Sequence, residues 1–378
     1  MKQVKTYPVV LFFFAFLLVF FALAFISPNE ETAGRRLASQ PQITAESIGK
    51  GVWSAEYTNY TEDHFIFNDT FARFSTLMDV GLGRLELNGV WLAKDGYQIA
   101  KNDVFTADDA KKLQQNVDAV AALAGRFSGK VDIMIVPSPE NILQDKLPAN
   151  PPQRNEDELL DNMFAQFTQA GGNVIDLRAI LNENTDTQLF YRTDHHWTTT
   201  GGARLAYEAF CNTHGLAPVF PPQSSLTFVD GFLGTNYTKT HLPGTQPDTL
   251  EYYDLPNTIT VHQPQADGSF AEEELPLMDT AKLEVPDKYA AFIQGNNGYS
   301  VINGNGTGSI LVVKDSYGNS FIPYLIENYA TIGIIDLRAW PYPVDDVFEE
   351  DKYDSILVLY SFDNFAIDVG AYRMAIAE

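Results

Sequence analysis

The stretch SILVVKDSYGNSFIPYLIENYATIGII, residues 309–335, decides the fold. Ser309 to Val313 is a short apolar run, the composition of a strand buried on both faces. Lys314-Asp315-Ser316 ends the run, and Tyr317 to Tyr329 reads as a helix. Thr331 to Ile335 is a second apolar run. Strand, helix and strand in succession imply a parallel sheet covered by helices. In such sheets the ligand crevice lies beyond the carboxyl ends of the strands, which is where Ser316 falls.

The same rhythm extends outward. Val131 to Pro137, Asn173 to Leu177 and Ser355 to Tyr360 read as further strands. Thr106 is a helix N-cap, followed by apolar residues at Leu113, Val117, Val120, Ala121 and Ala124. Glu156 to Ala170 and Thr199 to His214 are two more helices, stopped by Gly171-Gly172 and Gly215. Asn88 to Leu92 and Lys94 to Tyr97 read as two short strands about an Asp-Gly turn. Residues 216–308 lose the rhythm and read as an irregular or β-rich insertion. The expected class is α/β, three layers about a mostly parallel sheet.

Composition narrows the function. The 378 residues carry 25 Lys+Arg against 49 Asp+Glu, a formal charge of −24, which argues against nucleic acid as a partner. The one cysteine, Cys211, excludes an intrachain disulfide and reads as a buried apolar residue. Lys2 and Lys5 precede a run that is apolar from Val9 to Ile26. Eighteen helical residues span about 27 Å, near a bilayer core, so residues 1–27 read as a membrane anchor or signal segment, with the membrane met through 8–26. The lysines predict a cytoplasmic amino terminus, a single pass and an exported body, or a secreted one if the segment is cleaved. Residues 28–50 read as a linker and 51–378 as the exported body.

The densest chemistry lies in YRTDHHWTTTGG, residues 191–202, which holds two of the six histidines. Asp194 and His196, two apart on an extended stretch, would point the same way. The carboxylate can then hold one imidazole nitrogen while the other takes a proton from Ser316, the division of labour in a serine triad. A metal site on Asp194, His195 and His196 is the rival, as in metal-dependent phosphoesterases. Helix capping by Ser316 and Asp315 is the structural alternative.

These blocks, with GFLGTNYTK at 231–239, VVKDSYGNSFIPYL at 312–325, IIDLRAW at 334–340, NGVWLAKDGY at 88–97 and IVPSPENILQDKLP at 135–148, resemble the DHHW proteins of Gram-positive bacteria. That family is similar to the SGNH hydrolase-like domains of alginate O-acetyltransferases. The resemblance implies Ser316 as nucleophile, His196 as base and Asp194 as its orienting acid, with no metal or organic cofactor. Ser316, Gly295 and Asn296 are candidates for an oxyanion site. Arg192, Trp197 and Arg338 are candidates for substrate binding. It implies an O-acyltransferase or esterase working on acetyl groups of an envelope polysaccharide, with a membrane-bound O-acyltransferase as partner in the transfer direction. A non-catalytic glycan-binding protein on the same scaffold is the alternative.

Overall fold

Val131–Val136 (β1) is apolar at every position but Asp132, and all six residues are buried. Ser309–Lys314 (β6), Thr331–Ile335 (β7) and Ser355–Ser361 (β8) share this character. With Asn173–Val174 (β2), Thr258–Pro264 (β3), Phe270–Pro276 (β4) and Tyr299–Asn303 (β5) they form an eight-stranded sheet, ordered β2-β1-β8-β6-β7-β5-β3-β4. Pairing is parallel from β2 to β7. It is antiparallel from β7 through β5 and β3 to β4. The computed structural model describes residues 7–24, 38–63, 68–265, 269–342, 344, 347–349 and 351–375.

Alternate side chains of each strand face opposite ways, so each face needs its own cover. Val131, Ile133, Ile135, Leu311, Val313 and Val358 pack with Ala107–Arg126 (α1) and Glu156–Gln169 (α2). Met134, Val136, Ile310, Val312, Leu357 and Leu359 pack with Arg204–Thr213 (α3), where Cys211 is buried as expected. Thr106 caps α1 reciprocally with Asp109. The layered α/β expectation is met.

Two expectations are corrected, and one is met: the 216–308 stretch is β-rich. Its strands β3, β4 and β5 extend the central sheet, and Leu226–Phe232 pairs with Asp248–Tyr253 in a ribbon. The helix expected to run to Tyr329 is broken: Gly318–Phe321 is α-helical and Ile322–Leu325 is a 3₁₀ turn. Pro323 has no N–H to give the helix. The hairpin near residue 90 has three strands, Glu86–Leu87, Val90–Leu92 and Gln98–Ala100, with turns at Asn88-Gly89 and Asp95-Gly96.

The chain divides into two compact units, residues 1–84 with 240–244, and 85–239 with 245–378. The first holds helices at Tyr7–Ala24, Ala45–Gly49, Val52–Asp63 and Asn68–Gly81. Ala45–Gly49 lies inside the stretch expected as a linker and is capped by Thr44. The apolar amino-terminal run is helical, but among the described residues no helix is long and apolar enough to cross a membrane. The end of the expected span, residues 25 and 26, lies outside the described residues.

Candidate active site

The loop carrying Asp194 and His196 is closed at its base, where Phe190 bridges Trp197 and the Tyr191 N–H donates to His196 O. The Thr193 N–H and hydroxyl donate to Asp248 Oδ2, at 2.9 and 2.8 Å. Thr193 O accepts from the Asn236 and Tyr237 N–H groups. A loop held on several sides loses little entropy when its side chains are fixed. The residues are bent, not extended as expected. The His196 N–H turns back to Asp194 Oδ1, two residues earlier, at 2.9 Å, and this turn aligns the two side chains.

The relay is continuous. His196 Nδ1 lies 2.5 Å from Asp194 Oδ1, and His196 Nε2 lies 2.7 Å from Ser316 Oγ. The ionised carboxylate can only accept, so Nδ1 carries the proton and Nε2 is left to accept from the serine. The other carboxylate oxygen accepts from the Thr235 N–H at 2.7 Å and its hydroxyl at 3.0 Å. Burial alone would raise the Asp194 pKa. The His195 and His196 imidazoles and these hydrogen bonds outweigh it and hold the carboxyl well below the usual range. Gly234 makes the approach possible, since a Cβ there would overlap the Asp194 side chain.

Ser316 follows β6 and is nearly buried, at 8% exposure. Its neighbour Asp315 does cap the turn, accepting from the Tyr317 N–H at 2.9 Å. Asp315 also reaches β8, where its Oδ2 accepts from the Ser361 N–H and hydroxyl and from Asn364. Beneath the turn lies Lys314, fully buried, donating to Asn319 Oδ1 at 2.6 Å and Asn296 Oδ1 at 3.2 Å. Burial pushes its pKa down to about 8 against the pull of Asp336. A Cβ at Gly318 would stand 2.8 Å from that of Lys314, so the lysine curls where only glycine leaves room.

Tyr289, which carried no sequence signal, completes the site. Its ring stacks on His196 with centroids 3.7 Å apart and planes 11° apart. Its hydroxyl donates to Ser316 O at 3.2 Å. It belongs to a small cluster with Tyr191, Phe232, Leu250 and Phe292, drawn mostly from the 216–308 stretch. Gly234 and Thr235 come from the same stretch. The block GFLGTNYTK was the one signal in the sequence that pointed to them.

The other candidates are held by partners of their own. Trp197 is fully buried and donates to Tyr317 O and Ser320 Oγ, so it is core and not an open sugar platform. Arg338 is held bidentate by Asp336, and Arg192 lies 3.9 Å from Asp248. The Gly295 N–H is spent on Phe292 O. Asn296 Oδ1 is pinned by Lys314 and Asn319, which turns its amide nitrogen away from them. Among the described residues the Ser316 N–H has no acceptor, which leaves it available to an oxyanion. The helix beginning at Gly318 has four residues, too few for its dipole to add to this.

Asp194, His195 and His196 do bring ligand-type atoms within 4.8 Å of one another. Two ligands ~2.0–2.1 Å from one zinc ion in a tetrahedron stand about 3.3 Å apart. The 2.5 Å between Asp194 Oδ1 and His196 Nδ1 is a proton-sharing distance. His195 Nδ1 is 2.7 Å from Thr235 Oγ1, whose proton points to Asp194, so His195 donates there. Burial, and then the charge of His196, push the His195 pKa down to about 3. At that separation the Asp194–His196 pair is set for a proton relay.

An α/β protein with a buried serine, histidine and aspartate in line beyond the strand ends is the class that fold and site define. The family model of the DHHW proteins matches residues 102–335, and the chain belongs to that family. It is similar to the crystal structure of a DHHW family protein from Eubacterium siraeum, 21% identical, covering 76% of this chain and 95% of that one, with a TM-score of 0.58. Bacillus cereus PatB1, solved with a sulfonyl adduct, is 19% identical over 75% of this chain and 98% of its own, with a TM-score of 0.57. The alginate biosynthesis protein AlgX of Pseudomonas syringae is 23% identical over 239 residues, 58% of this chain. The chain spans about half, 47%, of that curated relative's length.

Proposed function

We propose that this chain transfers or removes an acyl group, acetyl first, on a polysaccharide of the cell envelope. The unbroken line from Asp194 through His196 to Ser316 carries this reading. Ser316 Oγ attacks the ester carbonyl as His196 Nε2 takes its proton. The carbonyl oxygen becomes an oxyanion beside the Ser316 N–H. When the carbonyl re-forms, the ester C–O bond breaks and the departing alkoxide takes the proton from His196. Water or a sugar hydroxyl then attacks the acyl-serine as His196 takes its proton, the Ser316 Oγ–acyl bond breaks, and Oγ takes that proton back, giving acid or a new ester.

The likeness to AlgX, a protein of alginate biosynthesis, supports a polysaccharide as substrate. Work outside the cytoplasm, as a protein on the membrane or released from it, belongs to the same proposal. The apolar run behind Lys2 and Lys5 supports it, and fractionation of intact cells tests it. In the transfer direction a membrane-bound O-acyltransferase supplies the acyl group. A complete relay with a satisfied carboxylate supports catalysis over glycan binding alone. The test is Ser316→Ala. It is expected to keep the fold, by circular dichroism, and lose acetyl-esterase activity by about 10³-fold or more. A purified variant as active as the wild type refutes the nucleophile.

A further inference from the structure

The geometry points to Tyr289 as a positioning residue whose ring face favours the His196 imidazolium formed when Ser316 gives up its proton, an inference that rests on the reading proposed above. The two rings are parallel within 11° at 3.7 Å. The face of an aromatic ring is electron-rich and attracts a cation, more strongly where water is excluded. Tyr289 is 4% exposed, so the contact is dry. A neutral imidazole gains little from that face. An imidazolium gains more, so the contact strengthens as the serine proton moves, which is the condition for accelerating a step.

The same side chain touches both halves of the site. Its hydroxyl bonds Ser316 O and, at 3.0 Å, Ser320 Oγ. Phe292 packs against its ring, with centroids 4.9 Å apart. Burial pushes the Tyr289 pKa well above its usual value, so the phenol stays neutral and adds no anion. The other titratable groups about the imidazole are Asp194, His195, Tyr317 and Asp287. All four remain when Tyr289 alone is changed. The ring and the hydroxyl are separable, because each hydroxyl partner keeps a second bond. Ser316 O still accepts from the Asn319 N–H, and Ser320 Oγ from Trp197.

The experiment compares the full chain with its Tyr289→Phe and Tyr289→Leu variants. It measures p-nitrophenyl acetate hydrolysis, the rate of Ser316 modification by phenylmethylsulfonyl fluoride, and thermal melting. Tyr289→Phe should stay within about threefold of wild type. Tyr289→Leu should lower kcat about tenfold (about 1.4 kcal/mol) with KM nearly unchanged, and slow Ser316 modification by a similar factor. If the leucine variant does not fold, Tyr289→Met, of similar bulk and without a ring, is read by the same criteria. A ringless variant at wild-type rates, or a phenylalanine variant as slow as it, overturns the inference while the proposed function stands. A wild-type chain left unmodified at Ser316 overturns both.

Discussion

Asp194→Asn tests the relay at its buried end. The carboxylate accepts four hydrogen bonds, two from His196 and two from Thr235. An amide has one oxygen to offer. If that oxygen keeps His196 Nδ1, the amide nitrogen meets the Thr235 N–H donor to donor. If the amide turns over, it donates to Nδ1 and forces the proton onto Nε2, which then cannot accept from Ser316. The charge is lost in both cases. With ~4 Å between charge centres and an effective dielectric of ~20, carboxylate and imidazolium attract by about 4 kcal/mol. That is about 10³-fold in rate, and the wrong tautomer extends the loss toward about 10⁴-fold, the scale of this change in a serine triad. The unsatisfied Thr235 donor should cost about 1–3 kcal/mol of stability. The assay is kcat/KM for p-nitrophenyl acetate, with a thermal melt on the same sample. A folded variant within tenfold of wild type would refute the reasoning.

Two further perturbations follow from the same geometry. Gly234→Ala places a methyl on the Asp194 carboxylate, which must move. Activity should fall by about 10²-fold and stability by about 1–3 kcal/mol, measured by esterase assay and urea unfolding, with near wild-type values counting against the packing described. His195 has a folded pKa of about 3, below its unfolded value. The unfolded chain therefore binds the proton more readily, and this contribution is complete above ~6.5 and lost as pH falls toward 3. The melting gap between wild type and His195→Gln should narrow between neutral pH and pH 4. The change should be only about 2 °C, because a third of the side chain is exposed and screened. A gap that widens on acidification contradicts the assignment.

The two ends of the relay were readable in the sequence because each lies in a short block whose residue types announce chemistry. The strands β1, β6, β7 and β8 were readable because full burial leaves an unbroken apolar run. The support was not. Thr235 meets Asp194 across 41 residues, and Tyr289 meets Ser316 across 27. Each sits among turn-type and polar residues whose local pattern carries no period. Strands β3 and β4 hide for another reason: β4 is an exposed edge with Glu272, Glu273 and Glu274 in a row, so no apolar run marks it. Trp197 misled in the opposite direction, since an aromatic beside a histidine suits a sugar site and a core equally well.

The position of β8 has a consequence for synthesis. Among the described residues it is the last strand, yet it lies between β1 and β6, and its Ser361 and the following Asn364 hold Asp315 beside the nucleophile. A nascent chain that has emerged only as far as β7 already contains Asp194, His196 and Ser316. Its sheet still has a gap at the centre, and Asp315 has neither Ser361 nor Asn364 to hold it. On the proposed reading, the site would therefore stay incomplete on the ribosome until β8 slots between its neighbours.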